Sequence, residues 1–155
     1  MSKVSKEVKV IVFRLQNEEY GVPIDYVGSI ERMLEITRIP NTPKFIKGVI
    51  NLRGIVTPVI DLRERFGMET SEYSNRSRMI IVHIDDKEVG MIVDEANDVV
   101  DLSEDDIETP PEVIGSVDTD YVRGVAKLEH RLLILLNLDR VLSNEEVNQL
   151  SAVEK

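Results

Sequence analysis

The chain of 155 residues contains no cysteine. Disulfides, thiolate metal sites and cysteine nucleophiles are therefore excluded, and a reducing compartment is the natural setting. Long apolar runs are also missing. The opening MSKVSKEVKV is charged and holds no secretory apolar region, and no later run approaches the ~18 uninterrupted apolar residues of a membrane span. A soluble, cytoplasmic protein without membrane insertion is expected. There is no basic surplus either: the formal charge of -10 argues against nucleic acid and against anionic membranes, whose binding begins with a cationic surface. The charge is uneven. Residues 1–67 hold 11 Lys/Arg against 8 Asp/Glu, and residues 68–155 hold 8 against 21. The acidic half is either a solvated face or a docking surface with polarity.

Catalytic signatures are equally scarce. The two histidines are His83, in the strand-like IIVHI, and His130, at the hairpin tip LEHR. Neither has the sequence neighbours of a general base or metal ligand. No G-x-G-x-x-G, P-loop or nucleophile elbow occurs. The acidic run DEANDVVDLSEDDIE lacks the central glycine and ligand spacing of a calcium loop. No enzyme, metal or cofactor is expected.

What the chain does contain is a repeat. FIKGVINLRGIVTPVIDLRERFG, from Phe45, aligns without a gap to YVRGVAKLEHRLLILLNLDRVLS, from Tyr121, at an offset of 76. Phe45 falls on Tyr121, Lys47 on Arg123, Gly48 on Gly124, Leu52 on Leu128, Asp61 on Asn137 and Leu62 on Leu138. IVFRLQNEEYGVPID, from Ile11, matches IIVHIDDKEVGMIVD, from Ile80, at an offset of 69, with Gly21 over Gly90 and Asp25 over Asp94. A tandem duplication is the simplest source of such a match.

Each unit reads as β. Apolar residues run through VKVIVFRL, QNEE supplies a turn, and strand character resumes at Tyr20, which predicts a hairpin repeated as MIIVHI, DDKE and VGMIVD. Gly21 and Gly90 inside these runs suggest bulges or close backbone approach. A second hairpin centres on NLRG. DLRERFG predicts one helical turn with Asp61 as N-cap and Gly67 past its end. SNEEVNQLSAVEK, with Ser143 and Glu146 spaced as a capping box, predicts a C-terminal helix. The stretches MLEITRIPNTPK, GMETSEYSNRSR and EDDIETPPEVIGSVDTD are expected to be loops. Sublobes of about 11–67, with the C-terminal helix packed on it, and 78–143 follow, sharing an interface because units this small seldom stabilise themselves.

The segments YGVPIDYV, TRIPNTPKFIKGVINLRG, PVIDLRERFG, VGMIVDEANDVV and LILLNLDRVL resemble the bacterial chemotaxis coupling proteins of the CheW family over nearly the whole chain. The resemblance implies one CheW-like module, residues 1–155, of two intertwined SH3-like five-stranded β-barrels. It implies no catalysis and an adaptor role, linking membrane chemoreceptors to the regulatory, CheW-like domain of the histidine kinase CheA. A receptor helix would then lie between the lobes on Val27, Ile30, Val89, Ala96 and Val99, with Arg53 and Gly54 at the rim. Kinase docking falls to the first lobe, at Ile36, Ile39 and Val56. The other readings are a barrel that holds a small ligand and a scaffold in a different signalling assembly.

Arg53 and Gly54 fall opposite Glu129 and His130 in the repeat, so neither is a general requirement of the fold. Where the family commonly carries a glutamate, this chain has Ser29. Glu31, two places on along the same strand face, is the candidate replacement as partner for Arg53.

Overall fold

In a computed structural model the residues described are 7–69, 72–84, 86–108, 121–128 and 130–141. The strands are β1 (Glu7–Leu15), β2 (Glu18–Pro23), β3 (Val27–Arg32), β4 (Ile46–Leu52), β5 (Ile55–Asp61), β6 (Arg78–Ile84), β7 (Lys87–Val93), β8 (Glu95–Ser103), β9 (Ile107–Glu108), β10 (Val122–Leu128) and β11 (Arg131–Leu136). Two single-turn helices, α1 (Leu62–Arg65) and α2 (Leu138–Val141), follow β5 and β11. The C-terminal helix expected after Ser143 lies outside the described residues, as does most of the loop after β9.

The strands form two sheets, ordered β8-β1-β2-β11-β10-β9 and β3-β6-β7-β5-β4. The orders are equivalent: β1–β2 corresponds to β6–β7, β10–β11 to β4–β5, and β8 to β3. The register repeats residue by residue, since Leu135 pairs with Gly21 in one parallel contact and Val59 with Gly90 in the other. A register shift between Val122 and Gly124 recurs between Ile46 and Gly48. Even the closing strand has a counterpart, with β9 pairing to Val125 where Thr37 bridges to Val49.

The contiguous division into 11–67 and 78–143 does not describe the barrels. Hairpin β1–β2 sits in the sheet built from the C-terminal half, and β6–β7 sits in the sheet built from the N-terminal half. Each half lends its hairpin to the other. The two SH3-like barrels are therefore interlocked, and neither half can close its own.

Three apolar clusters explain why. Val10, Val12, Leu102, Ala126, Leu133 and Leu135 fill the six-stranded barrel. Ile50, Leu52, Val59, Met79, Ile81 and Ile92 fill the other. The largest cluster lies between them, and each exchanged hairpin contributes to it through its opposite face: Ile11, Phe13 and Leu15 from β1, Ile80, Val82 and Ile84 from β6. Alternation in β1 thus divides two cores, not core from solvent, so Val10 through Phe13 are all buried. Arg65 joins the two copies: its guanidinium lies over the repeat-equivalent rings of Phe45 and Tyr121 at 4.9 and 5.1 Å and donates from Nε to the Val141 carbonyl.

Local chemistry follows the expected pattern at α1. Asp61 accepts from the Arg63 amide at 2.9 Å, and Gly67 closes the turn at a φ of 74°. Gly21 marks a close approach, since a Cβ there would meet Val10 Cγ1 at 2.4 Å, whereas at Gly90 the nearest atoms stand at an ordinary 3.4 Å.

Candidate functional site

Both β3 and β8 end their sheets, and both carry a bulge. The register slips between Val27 and Ser29 against β6, and between Val12 and Phe13 of β1 against β8. Strict alternation would put Val27 and Ile30 on opposite faces. The bulge corrects the parity, so Val27 stands opposite Val82 and Ile30 opposite Ile80, both members of the central core. Ala96 and Val99 repeat this opposite Phe13 and Ile11. All four candidates therefore lie on the face that builds the shared core, at the margin of each sheet. Val27 is half-buried against that core, Ala96 is half-buried, and Ile30 and Val99 are 43% and 51% exposed. Val89 does not belong with them. It is the repeat counterpart of Tyr20 and is buried inside the central core, 1% exposed. Lying third in the β7 run, it looked equivalent to surface positions because periodicity does not distinguish a shared core from a groove.

Arg53 and Gly54 form the two-residue tip of the β4–β5 hairpin, with Leu52 paired to Ile55. Both have positive φ, 53° and 87°, the combination of a type I′ turn. Gly54 also donates its N–H to Asn51 Oδ1 at 2.7 Å. Glycine is apt here; arginine is not, because an L-residue in this region is strained by roughly 1 kcal/mol. Arg53 Nη2 meets Glu31 Oε2 at 2.8 Å, with the arginine side chain 71% exposed. Ser29 and Glu31 stand opposite Ile81 and Met79 on one face, and Glu31 is the carboxylate that meets the arginine. An exposed pair of this kind contributes about 0–1 kcal/mol, which offsets the backbone strain. Arg53→Asn, which relieves the strain and removes the pair, is expected to change unfolding free energy by less than about 1 kcal/mol in urea titrations. A larger loss would mean that the arginine serves the fold.

Ile36 and Ile39 are half-buried and line a cleft of about 830 Å³ with Arg38, Pro40, Pro43, Lys44, Ile46 and Tyr73. Ile36 also packs on the core of the five-stranded barrel. Val56 is 48% exposed at the start of β5 and is not among the residues of this cleft. The most exposed apolar residues among those described escaped the sequence reading: Ile55, beside Val56, at 61%, and Leu132 on β11, the repeat counterpart of Val56, at 54%. The 76-residue offset pointed to Leu132.

A buried charge network was also missed. Arg63, with its side chain 3% exposed, pairs with Asp61 and with Asp94, both at 3.1 Å. Tyr73 donates its hydroxyl to Asp61 at 2.9 Å and lies under the guanidinium at 5.2 Å. Asp94 in turn accepts from the Gln16 amide at 2.6 Å, joining the β1–β2 turn to α1. Burial works against charge on Arg63, but the Asp61 hydrogen bond and the charges of Asp61 and Asp94 outweigh it and raise its pKa. On the other lobe Arg131 meets Glu19 at 2.7 and 3.1 Å and reaches Asp98, and these hydrogen bonds raise its pKa too. Both networks tie elements together. His83 and His130 are exposed, and among the described residues no three His, Asp or Glu side chains are grouped to hold a metal. No helix among them is long and apolar enough to cross a membrane.

Comparison with known proteins gives a consistent picture. Residues 9–146 match the family model of the CheW-like domain. The chain is 45% identical to the chemotaxis protein CheW of Bacillus subtilis over 88% of each chain. It is 38% identical to the protein of that name from Klebsiella aerogenes, over 100% of this chain and 95% of that one. The crystal structure of the scaffolding protein TtCheW from Thermoanaerobacter tengcongensis superposes with a TM-score of 0.84 at 41% identity, covering 89% of this chain and 94% of that one.

Proposed function

The chain belongs to the CheW-like domain family, and from that premise we propose that it is a non-catalytic chemotaxis adaptor. In this reading the whole chain acts as one module in the cytoplasm at receptor arrays. It couples membrane chemoreceptors to the histidine kinase CheA, binding the kinase's regulatory domain and the receptor's cytoplasmic helices. The observation that carries the reading is the pair of bulged edge strands, which leave Ile30 and Val99 exposed on the face of the shared core at repeat-equivalent positions. Apolar anchors of this kind suit a helix laid along a groove, with Arg53 supplying register at its rim. Arg53 fits the role because it occupies a turn position that locally favours asparagine or glycine. A ligand-holding barrel is less favoured, since both barrel interiors are packed with apolar side chains.

Titration calorimetry with a receptor cytoplasmic fragment and with the CheA regulatory domain tests this. Ile30→Asp and Val99→Asp are expected to weaken receptor binding more than tenfold while melting near the wild type, because both side chains are already exposed. Val89→Asp is expected to unfold the chain, since a buried unpaired charge is strongly destabilising. Arg53→Asn should weaken receptor binding and flatten its salt dependence. For the kinase arm, Ile39→Asp and Val56→Asp should lower affinity for the regulatory domain and leave receptor binding intact. Unchanged receptor affinity in folded Ile30→Asp and Val99→Asp would remove the groove. Failure of both partners to bind the wild type would point to a scaffold in a different assembly.

A further inference from the structure

At the end of β3 the internal repeat breaks its own electrostatic rule. In the six-stranded sheet Lys9 of β1 stands directly opposite Asp101 of β8, and the two form an ion pair at 3.5 Å. At the offset of 69 the counterpart of Lys9 is Arg78 and that of Asp101 is Arg32, and these also stand directly opposite each other, on β6 and β3. A cation faces an anion in one lobe; two cations face each other in the other. Like charges directly opposed across a strand pair are destabilising. Among the described residues no carboxylate pairs with either guanidinium. The neighbouring acid, Glu31, is on the other face of β3 and is engaged by Arg53.

The surroundings complete a site. Arg32 and Arg78 line a polar cleft of about 390 Å³ with Met33, Ser74, Asn75 and Ser77. Arg78 is held by Nη1, which donates to the carbonyls of Asn75 and Ser77 at 2.8 Å each. Ser74 Oγ accepts from the Arg76 amide and Ser77 Oγ from the Ser74 amide. A hydroxyl that accepts keeps its own hydrogen to donate. Two arginines and two serines with hydrogens left to donate line one cleft where the repeat leaves out an anion.

We propose that this cleft binds a divalent oxyanion, the group presented by inorganic phosphate or by a phosphomonoester. A dianion matches both arginines, whereas a single carboxylate leaves one charge uncompensated, and guanidinium forks suit phosphate oxygens. Lys9 and Asp101 show that the repeat-equivalent strand pair accommodates an internal salt bridge, so this barrel architecture does not require two arginines at the position.

The test is an amide NMR titration of the full chain at fixed ionic strength with sodium phosphate, O-phosphoserine and acetate, repeated on Arg32→Asp. That variant recreates the opposite-charge arrangement of the other lobe. Saturable shifts at Arg32, Ser74, Ser77 and Arg78 are expected with phosphate or phosphoserine, with acetate at least tenfold weaker. Phosphoserine more than tenfold tighter than phosphate assigns the site to a phosphomonoester; equal affinity assigns it to the free anion. Arg32→Asp is expected to melt at or above the wild-type temperature in chloride and to lose the response at least tenfold. Linear, unsaturated shifts with phosphate, or a response retained in folded Arg32→Asp, would overturn the proposal.

Discussion

Arg63→Met is expected to lower unfolding free energy at neutral pH by about 3–5 kcal/mol, the range for removing one partner of a buried ion pair. The arginine and Asp61 are almost fully enclosed, with side chains 3% and 1% exposed. Methionine fills similar space but leaves the carboxylate with only the Arg63 amide and the Tyr73 hydroxyl as partners. Asp94, 30% exposed, is less affected because water reaches it. The loss should therefore trace mainly to Asp61. Arg63→Met combined with Asp61→Asn is expected to recover part of the stability, since the remaining amide still caps α1 without a buried charge. Urea midpoints for the two variants and wild type decide the matter. If the single variant loses less than about 1 kcal/mol, the network is better solvated than its geometry implies.

The second large effect is expected at Gly48. This residue has a φ of 143°, and a Cβ built on it would lie 2.1 Å from the Thr37 carbonyl oxygen and 2.8 Å from the carbonyl carbon. The obstacle is backbone, and the Thr37 backbone is tied to Val49 by hydrogen bonds of 2.8 and 2.9 Å. It cannot yield without opening the barrel. Gly48→Ala should thus cost on the order of 3 kcal/mol or more, combining strain with overpacking. Gly124→Ala should cost less, because its φ is not in the positive region and the nearest atom, Ile107 Cγ2 at 2.6 Å, belongs to a two-residue edge strand that can shift, with the Glu108 carbonyl at 3.0 Å and not 2.1 Å. Gly90→Ala should stay within about 1 kcal/mol, its nearest neighbours being at ordinary contact distance. Thermal melts of the three variants should rank in that order, and a Gly48→Ala protein melting with the wild type would refute the assignment.

These glycines show how far a repeat can be read. The two alignments at offsets of 76 and 69 identified Gly48 with Gly124 and Gly21 with Gly90, and the strand registers reproduce those pairs. The repeat could not rank them, because the atom that would meet a Cβ belongs to a distant segment. Val89 illustrates the same limit: its pattern suits either a groove or a core, and burial against the opposite lobe decides for core. Ile30 was legible as a surface residue, but its alignment with Val27 depends on a bulge that strict alternation does not reveal. The Arg63 network joins residues from the β5–α1 junction, the following loop and the end of β7, and only Asp61 was identified in advance, as a cap.

The sequence by itself determined the β class, the hairpins, the helical turn at Asp61 and the duplication, because these rest on periodicity, turn chemistry and local capping within a few residues of one another. Tertiary structure decided which barrel each hairpin completes. Hairpin β1–β2 is apolar on both faces and would satisfy its hydrogen bonds in either sheet; the parallel pairing of Gly21 with Leu135 and the core shared between the lobes place it with the C-terminal half. That choice is made by contacts more than a hundred residues apart, which no local pattern records.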